Sequence, residues 1–244
     1  MKKDEFRLLV EDVARCHICE KLVTESHLPS SERLENDDHG LDTDTPYVSL
    51  WNLWQGNLDA EIMVIGQDCG TKEEGNIFET RKYADMTDPS ERRLKRLFKK
   101  AFGIDLDSGE ATLFFTNTAN CYRRQKTSGT APSACLPICA NKFMARLIRI
   151  IRPKIVVILG RAAFEALQCM EDLPLICLDP SNRKAISFVE TMHHRYQFDL
   201  DGTPIKVFPV YYTGAHCQMN RAEVRQLEDW KQIAQYYREI KKND

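Results

Sequence analysis

The sequence has no long apolar run. Its longest uninterrupted aliphatic stretch is Ile155-Val156-Val157-Ile158-Leu159, far below the roughly 18 residues that mark a membrane-crossing helix. It has no excess of either charge, with 34 Lys+Arg against 36 Asp+Glu and a formal net charge of -2. Any surface for nucleic acid must therefore be a local patch rather than a property of the whole chain. Glycine and proline are modest, 11 and 10 in 244 residues, which excludes collagen-like and other fibrous architectures. No internal repeat or low-complexity tract stands out. The opening Met1-Lys2-Lys3-Asp4-Glu5-Phe6-Arg7 mixes acids and bases where a secretory leader carries an apolar core. An intracellular, cytoplasmic and reducing setting is the expectation.

What the chain does have is cysteine, nine residues of it, in a composition that is 43% hydrophobic and 29% charged and so typical of a globular protein. An odd number of thiols in a reducing compartment argues against a disulfide framework. It points instead to core thiols, a metal site or redox chemistry.

Apolar periodicity supplies the architecture. Phe6, Leu9, Val10 and Val13 recur at helical spacing and predict a short helix that delivers Cys16 and Cys19 at its end, within an N-terminal cysteine-bearing region of about 1–25. A polar, acidic stretch, about 29–46, reads as a long loop. Ile62 to Ile65, Leu113 to Thr116, Lys154 to Leu159 and Val207 to Tyr212 read as buried strands. Between them, Asp88-Pro89-Ser90-Glu91 combines an N-cap, a first-turn proline and a capping-box glutamate, and Leu94, Leu97, Phe98 and Ala101 continue on one face. Met144, Leu147, Ile148 and Ile151 form another helical stripe, Ala162 to Leu167 a further helix, and Glu223 to Ile240 a closing one. The pattern predicts one α/β domain over residues 1–244, with a mainly parallel, four-stranded central sheet flanked by helices on both faces. Ligands of such sheets bind outside the carboxyl ends of the strands, where Asp68, Asn117 and His216 fall.

Cys16-His17-Ile18-Cys19 is a C-x-x-C pair, and Cys121, Cys135 and Cys139 make a second group about a hundred residues later. Two intervening residues let both sulfurs face one metal centre, and two more ligands complete a tetrahedral or cubane site. A thioredoxin-like pair would follow a strand, whereas this one precedes the first credible strand. Spacing alone leaves zinc and iron-sulfur both open. Cys69, Cys169, Cys177 and one of Cys135 or Cys139 are expected to be packed thiols, and His193 and His194 to be surface residues.

Four segments in order resemble the iron-sulfur branch of the uracil-DNA glycosylase superfamily. They are the C-x-x-C at Cys16 and Cys19, the approach Gly56-Asn57-Leu58-Asp59-Ala60-Glu61-Ile62-Met63-Val64-Ile65-Gly66, the strand end Thr116-Asn117-Thr118-Ala119-Asn120-Cys121-Tyr122-Arg123, and a cysteine helix running into Arg152-Pro153-Lys154-Ile155-Val156-Val157-Ile158-Leu159-Gly160. The resemblance implies a 4Fe-4S cluster on Cys16, Cys19, Cys121 and Cys139, with Cys135 the alternative fourth ligand and zinc the alternative occupant. It also implies hydrolysis of the N-glycosidic bond of uracil or a related deaminated base in DNA; a monomer with DNA and no membrane as partner is the expectation.

Cleaving that bond builds positive charge on the sugar and negative charge on the departing base, after the base has left the stack for a pocket. By the resemblance, Asp68 would orient water and stabilise the sugar cation, in a loop where Gly66 and Gln67 also line the base. Asn117 carries an amide donor and a carbonyl acceptor that match uracil O4 and N3-H. Phe78 resembles the family's stacking phenylalanine. His216 would donate to uracil O2 as charge develops there. Arg123, Arg124 and Arg221 adjoin this region and are the expected phosphate contacts, whereas Arg92, Arg93, Lys95, Arg96, Lys99 and Lys100 read as a solvated helix face. Two loops depart from the family. Gln67-Asp68-Cys69-Gly70 carries a cysteine and a glycine where the cluster-free enzymes have proline and tyrosine, and His216-Cys217-Gln218 lacks the proline and serine of H-P-S. An alternative is therefore a catalytically altered member that binds nucleic acid or a partner protein.

Overall fold

A computed structural model describes residues 1–16, 18–19, 27–28, 57–68, 89–106, 113–120, 122–123, 134–179, 187–214 and 217–243. Helix α1 (Lys2–Ala14) opens the chain and buries Phe6, Leu9 and Val10. The short β1 (His27–Leu28) precedes β2 (Ile62–Gly66), α2 (Pro89–Phe102), β3 (Leu113–Asn117) and the short β4 (Tyr122–Arg123). A cysteine helix follows in three parts: α3 (Cys135–Cys139), a π-helical turn (Ala140–Met144) and α4 (Ala145–Ile151). Then come β5 (Ile155–Leu159), α5 (Arg161–Leu167), β6 (Ile176–Cys177), α6 (Phe188–His193), β7 (Tyr196–Leu200), β8 (Thr203–Val210), α7 (Cys217–Asn220) and α8 (Glu223–Asn243).

The central sheet runs β3-β2-β5-β8-β7-β6. β3, β2, β5 and β8 are mutually parallel and correspond to the four strands expected from apolar runs. Every residue of β2 and β5 is buried, as a sheet covered on both faces requires. Successive side chains alternate between two cores. Met63, Ile65, Phe114, Val156 and Ile158 pack with α1, the cysteine helix and α5, while Ile62, Val64, Leu113, Ile155 and Val157 pack with α2 and α8.

The sheet has six strands rather than the four expected. The extra pair, β7 and β6, adds antiparallel to the edge formed by β8. β7 is covered on one face only, so Tyr196, Phe198 and Leu200 are buried while Asp199 is exposed, and no continuous apolar run announces it. The turn from β7 to β8 sits at Asp201 (φ 53°) and Gly202 (φ 81°), the left-handed pair that a two-residue hairpin needs. α6, capped by Ser187 and Glu190 in a capping box, and the short α7, which falls where a loop was expected, both lie outside the apolar stripes that mark the longer helices. Among the described residues no helix is long and apolar enough to cross a membrane.

Candidate active site

The carboxyl ends of β2 and β3 lie side by side, with Gly66 opposite Asn117. The loops beyond them are tied together. The Thr118 amide and hydroxyl both donate to the Gly66 carbonyl, at 2.9 and 3.0 Å, and the Ala119 amide donates to the Gln67 carbonyl at 2.9 Å. Thr118 and Asn120 are buried, whereas Gln67, Asp68 and Asn117 are half-buried at the rim. Gly66 has a steric reason to be glycine: a Cβ there would run into Asn117 Oδ1. The Asn117 amide therefore lies against the strand that leads to Asp68, two residues farther on. The structure thus joins Gly66, Gln67, Asp68 and Asn117 at one edge of the sheet.

The third loop at this edge follows β8. Tyr212, Thr213 and Gly214 lead toward His216, which lies outside the described residues, as does Phe78. Arg93 of α2, buried and held 3.9 Å from Glu223, donates to the Thr213 carbonyl and so fastens this loop to the helix. Arg93 and Lys95 are buried rather than solvated, unlike Arg96, which pairs with Glu223 at 2.6 Å, and Lys99, which pairs with Asp105 at 2.6 Å. Nothing in the basic run marks Arg93 out, because its partner carbonyl lies 120 residues away.

The cysteines converge from the first helix and from the middle of the chain. α1 stops just before Cys16 and packs on α4, where Arg146 donates to Asp12 at 2.7 Å. Cys19, Cys135 and Cys139 are buried and Cys16 is half-buried. A hydrogen bond from Cys139 lowers the Cys19 thiol to about 6, with burial opposing and Cys135 and the Lys142 charge assisting. Lys142 belongs to the π turn, and its ammonium also reaches the Cys16 sulfur at 3.8 Å. Turns of this kind re-aim side chains at functional sites. Clustered thiols beside a cation, one of them acidified, are a donor set suited to a thiolate-bound metal or iron-sulfur group. Both Cys135 and Cys139 reach Cys19; Cys121 lies outside the described residues. Cys169 is exposed rather than packed, its thiol donating to the Glu165 carbonyl at 3.4 Å.

Of the expected phosphate contacts, Arg124 lies outside the described residues, and Arg123 is described only by its backbone, which pairs with His27. Arg221 holds Asp229 through two hydrogen bonds of 2.6 Å, with only 14% of its side chain exposed. Arg221 thus carries its positive charge already engaged by an acid nearly two helical turns into α8.

This sheet, with its joined β2 and β3 loops, defines the class. The chain matches the family model described as "Uracil DNA glycosylase superfamily" over residues 53–228 and belongs to that superfamily. Among individual relatives, it is 26% identical over 161 residues to a type-4 uracil-DNA glycosylase of Saccharolobus solfataricus (strain ATCC 35092 / DSM 1617 / JCM 11322 / P2). That alignment spans 66% of this chain and 64% of the relative.

Proposed function

We propose that the chain is a single-domain DNA glycosylase that removes uracil or a related deaminated base from DNA. The observation that carries this reading is the Gly66-Asn117 register, with its cross-loop hydrogen bonds, at the carboxyl edge of a parallel sheet. A flipped base can enter such an edge from outside the strands. There the Asn117 amide reads the pairing edge of the base by one donor and one acceptor. Asp68, on the adjoining loop, orients the attacking water and offsets positive charge on the sugar. His216 donates to the O2 of the departing base, and a donor aimed at charge formed in the transition state contributes roughly 2.7–4 kcal/mol. Phe78 stacks on the base. Arg123, Arg124 and Arg221 meet phosphates, and for Arg221 this requires contact beside its pairing with Asp229.

The cysteine group holds a 4Fe-4S cluster through Cys16, Cys19, Cys121 and Cys139 in this reading. Support comes from the hydrogen bond that brings Cys139 to Cys19, a contact that Cys135 also makes. Further support is the pairing of β1 with β4, which aligns the segment after Cys121 with the segment after Cys19. When bound, the cluster would supply a cross-link between these distant segments.

The test is a base-release assay on oligonucleotides containing uracil, hypoxanthine or xanthine, read as alkali-labile nicks. Purified protein is expected to be brown and to release at least one of these bases, and Asp68→Ala to lose activity by at least a hundredfold while keeping its colour. Salt-sensitive binding with every base left attached would replace catalysis by the binding reading that the altered loops suggest.

A further inference from the structure

β6 and β7 pair antiparallel with Cys177 opposite Tyr196. The ladder continues one step past β6, where the Leu178 amide donates to the Arg195 carbonyl at 2.8 Å. Residues two apart on a strand share a face, as do directly opposed residues on its partner. Cys177 and Asp179 are thereby brought to His194 and Tyr196. The Cys177 sulfur, an Asp179 carboxylate oxygen and a His194 ring nitrogen all lie within 4.8 Å of one another. His194 Nδ1 is 3.6 Å from Asp179 Oδ2.

Asp179 is held from the side. The Arg195 backbone amide donates to Oδ2 at 2.6 Å, and Arg195 Nε donates to Oδ1 at 3.0 Å. Outer hydrogen bonds of this kind orient a ligating carboxylate and leave its other lone pairs for a metal. Asp179 and His194 keep 20% and 26% of their side chains exposed, so an ion can reach them from solvent. A thiolate, an imidazole and a carboxylate together suit zinc, whose three-ligand sites keep a fourth tetrahedral position for water. Hard cations such as magnesium and calcium call for oxygen donors throughout.

We propose that Cys177, Asp179 and His194 form a second metal site, for a zinc-class divalent ion, which clips β6 to β7 at the outer edge of the sheet. Binding converts the Cys177 thiol to a thiolate and releases its proton to solvent. The thiolate charge offsets the two cations close to Asp179, Arg195 and Lys206, whose charges the site must tolerate. β6 is four strand spacings from β2, about 19 Å at the ordinary separation of paired strands. The ion therefore acts on the edge of the sheet and not on base removal.

Cobalt(II), a spectroscopic substitute for zinc, tests this. It is titrated into the full chain while thiolate-to-cobalt charge-transfer absorption and bound metal are measured, for the parent and for Cys16→Ser/Cys19→Ser, Cys177→Ser, His194→Gln and Arg195→Gln. The expected result is one equivalent bound with a thiolate band that survives in the Cys16/Cys19 variant. It should vanish in Cys177→Ser and weaken at least tenfold in His194→Gln. In Arg195→Gln, which removes no ligand atom, it should weaken roughly ten- to hundredfold. A band that is absent from the Cys16/Cys19 variant while that variant is folded, or unchanged by Cys177→Ser and His194→Gln, overturns the proposal. Should the double variant not fold, the parent and Cys177→Ser decide. Loss of one bound equivalent supports the site, and unchanged stoichiometry overturns it.

Discussion

At the scale of single residues, the contact between Gly66 and Asn117 separates stability from function. A methyl group added at Gly66 meets the end of a short side chain rather than backbone, so Asn117 can swing aside at small cost to the fold. The amide that swings is the group proposed to read the base. Gly66→Ala should therefore melt close to the parent, while base release falls roughly tenfold to hundredfold, the range expected when a bidentate base contact worth about 1–3 kcal/mol is lost. Paired thermal melts and kinetics check this, and a variant that loses stability and activity together would assign Gly66 a packing role only. Arg93 shows the opposite relation between sequence and role. It stands in a run of six basic residues that read as one solvated face, yet its guanidinium is buried against the loop that leads to His216.

At the scale of elements, the cysteine helix ends at Arg152 in the left-handed conformation (φ 54°, ψ 53°), with its amide donating to the Ile148 carbonyl at 2.8 Å. A side chain in that conformation costs roughly 1 kcal/mol that glycine avoids. The exposed Arg152-Asp201 ion pair at 3.2 Å offsets little of this. Arg152→Gly should raise the melting temperature by about 2–4 °C, as about 1 kcal/mol does in a chain of this size, and calorimetry of the two proteins measures it. The elements legible in the sequence were those whose burial leaves a periodic record. β2, β3, β5 and β8 are continuous apolar runs because helices cover both their faces, and α2 carried a complete start signal. β6 has only two residues, and β7 alternates buried and wet positions. The Asp201-Gly202 turn was a readable sign of the β7-β8 hairpin. In the candidate site, Gly66, Asp68 and Asn117 were legible because strand ends are legible. The contacts of Lys142 with Cys16 and of His194 with Cys177 were not, since a π turn and an antiparallel register carry no fixed spacing.

At the scale of the whole molecule, Glu61 fastens the amino end of the sheet. Its backbone carbonyl accepts from the Lys154 and Ile155 amides at 2.8 and 3.1 Å, joining the start of β2 to that of β5. Its carboxylate accepts from Lys154 at 3.0 Å, from Lys241 at 2.8 Å and from the Tyr237 hydroxyl. Burial alone would raise this acid, but Lys241, Tyr237 and Lys154 overcome it and hold the carboxyl at about 2. Because the folded value lies below the ordinary value of 4.5, the stabilisation is complete above about pH 4.5 and is lost as the pH falls toward 2. It amounts to no more than about 3 kcal/mol at neutral pH. Urea unfolding of the parent and Glu61→Gln should give stabilities that differ most at pH 7 and converge between about pH 4.5 and 2. A constant difference across that range would show that the clasp does not depend on ionised Glu61. At the opposite end of the sheet, the bonds from Thr118 and Ala119 back to Gly66 and Gln67 make two stretches some fifty residues apart in sequence a single graftable cassette. A chimera that imports only one of them from a relative inherits a seam, whereas exchanging both preserves it.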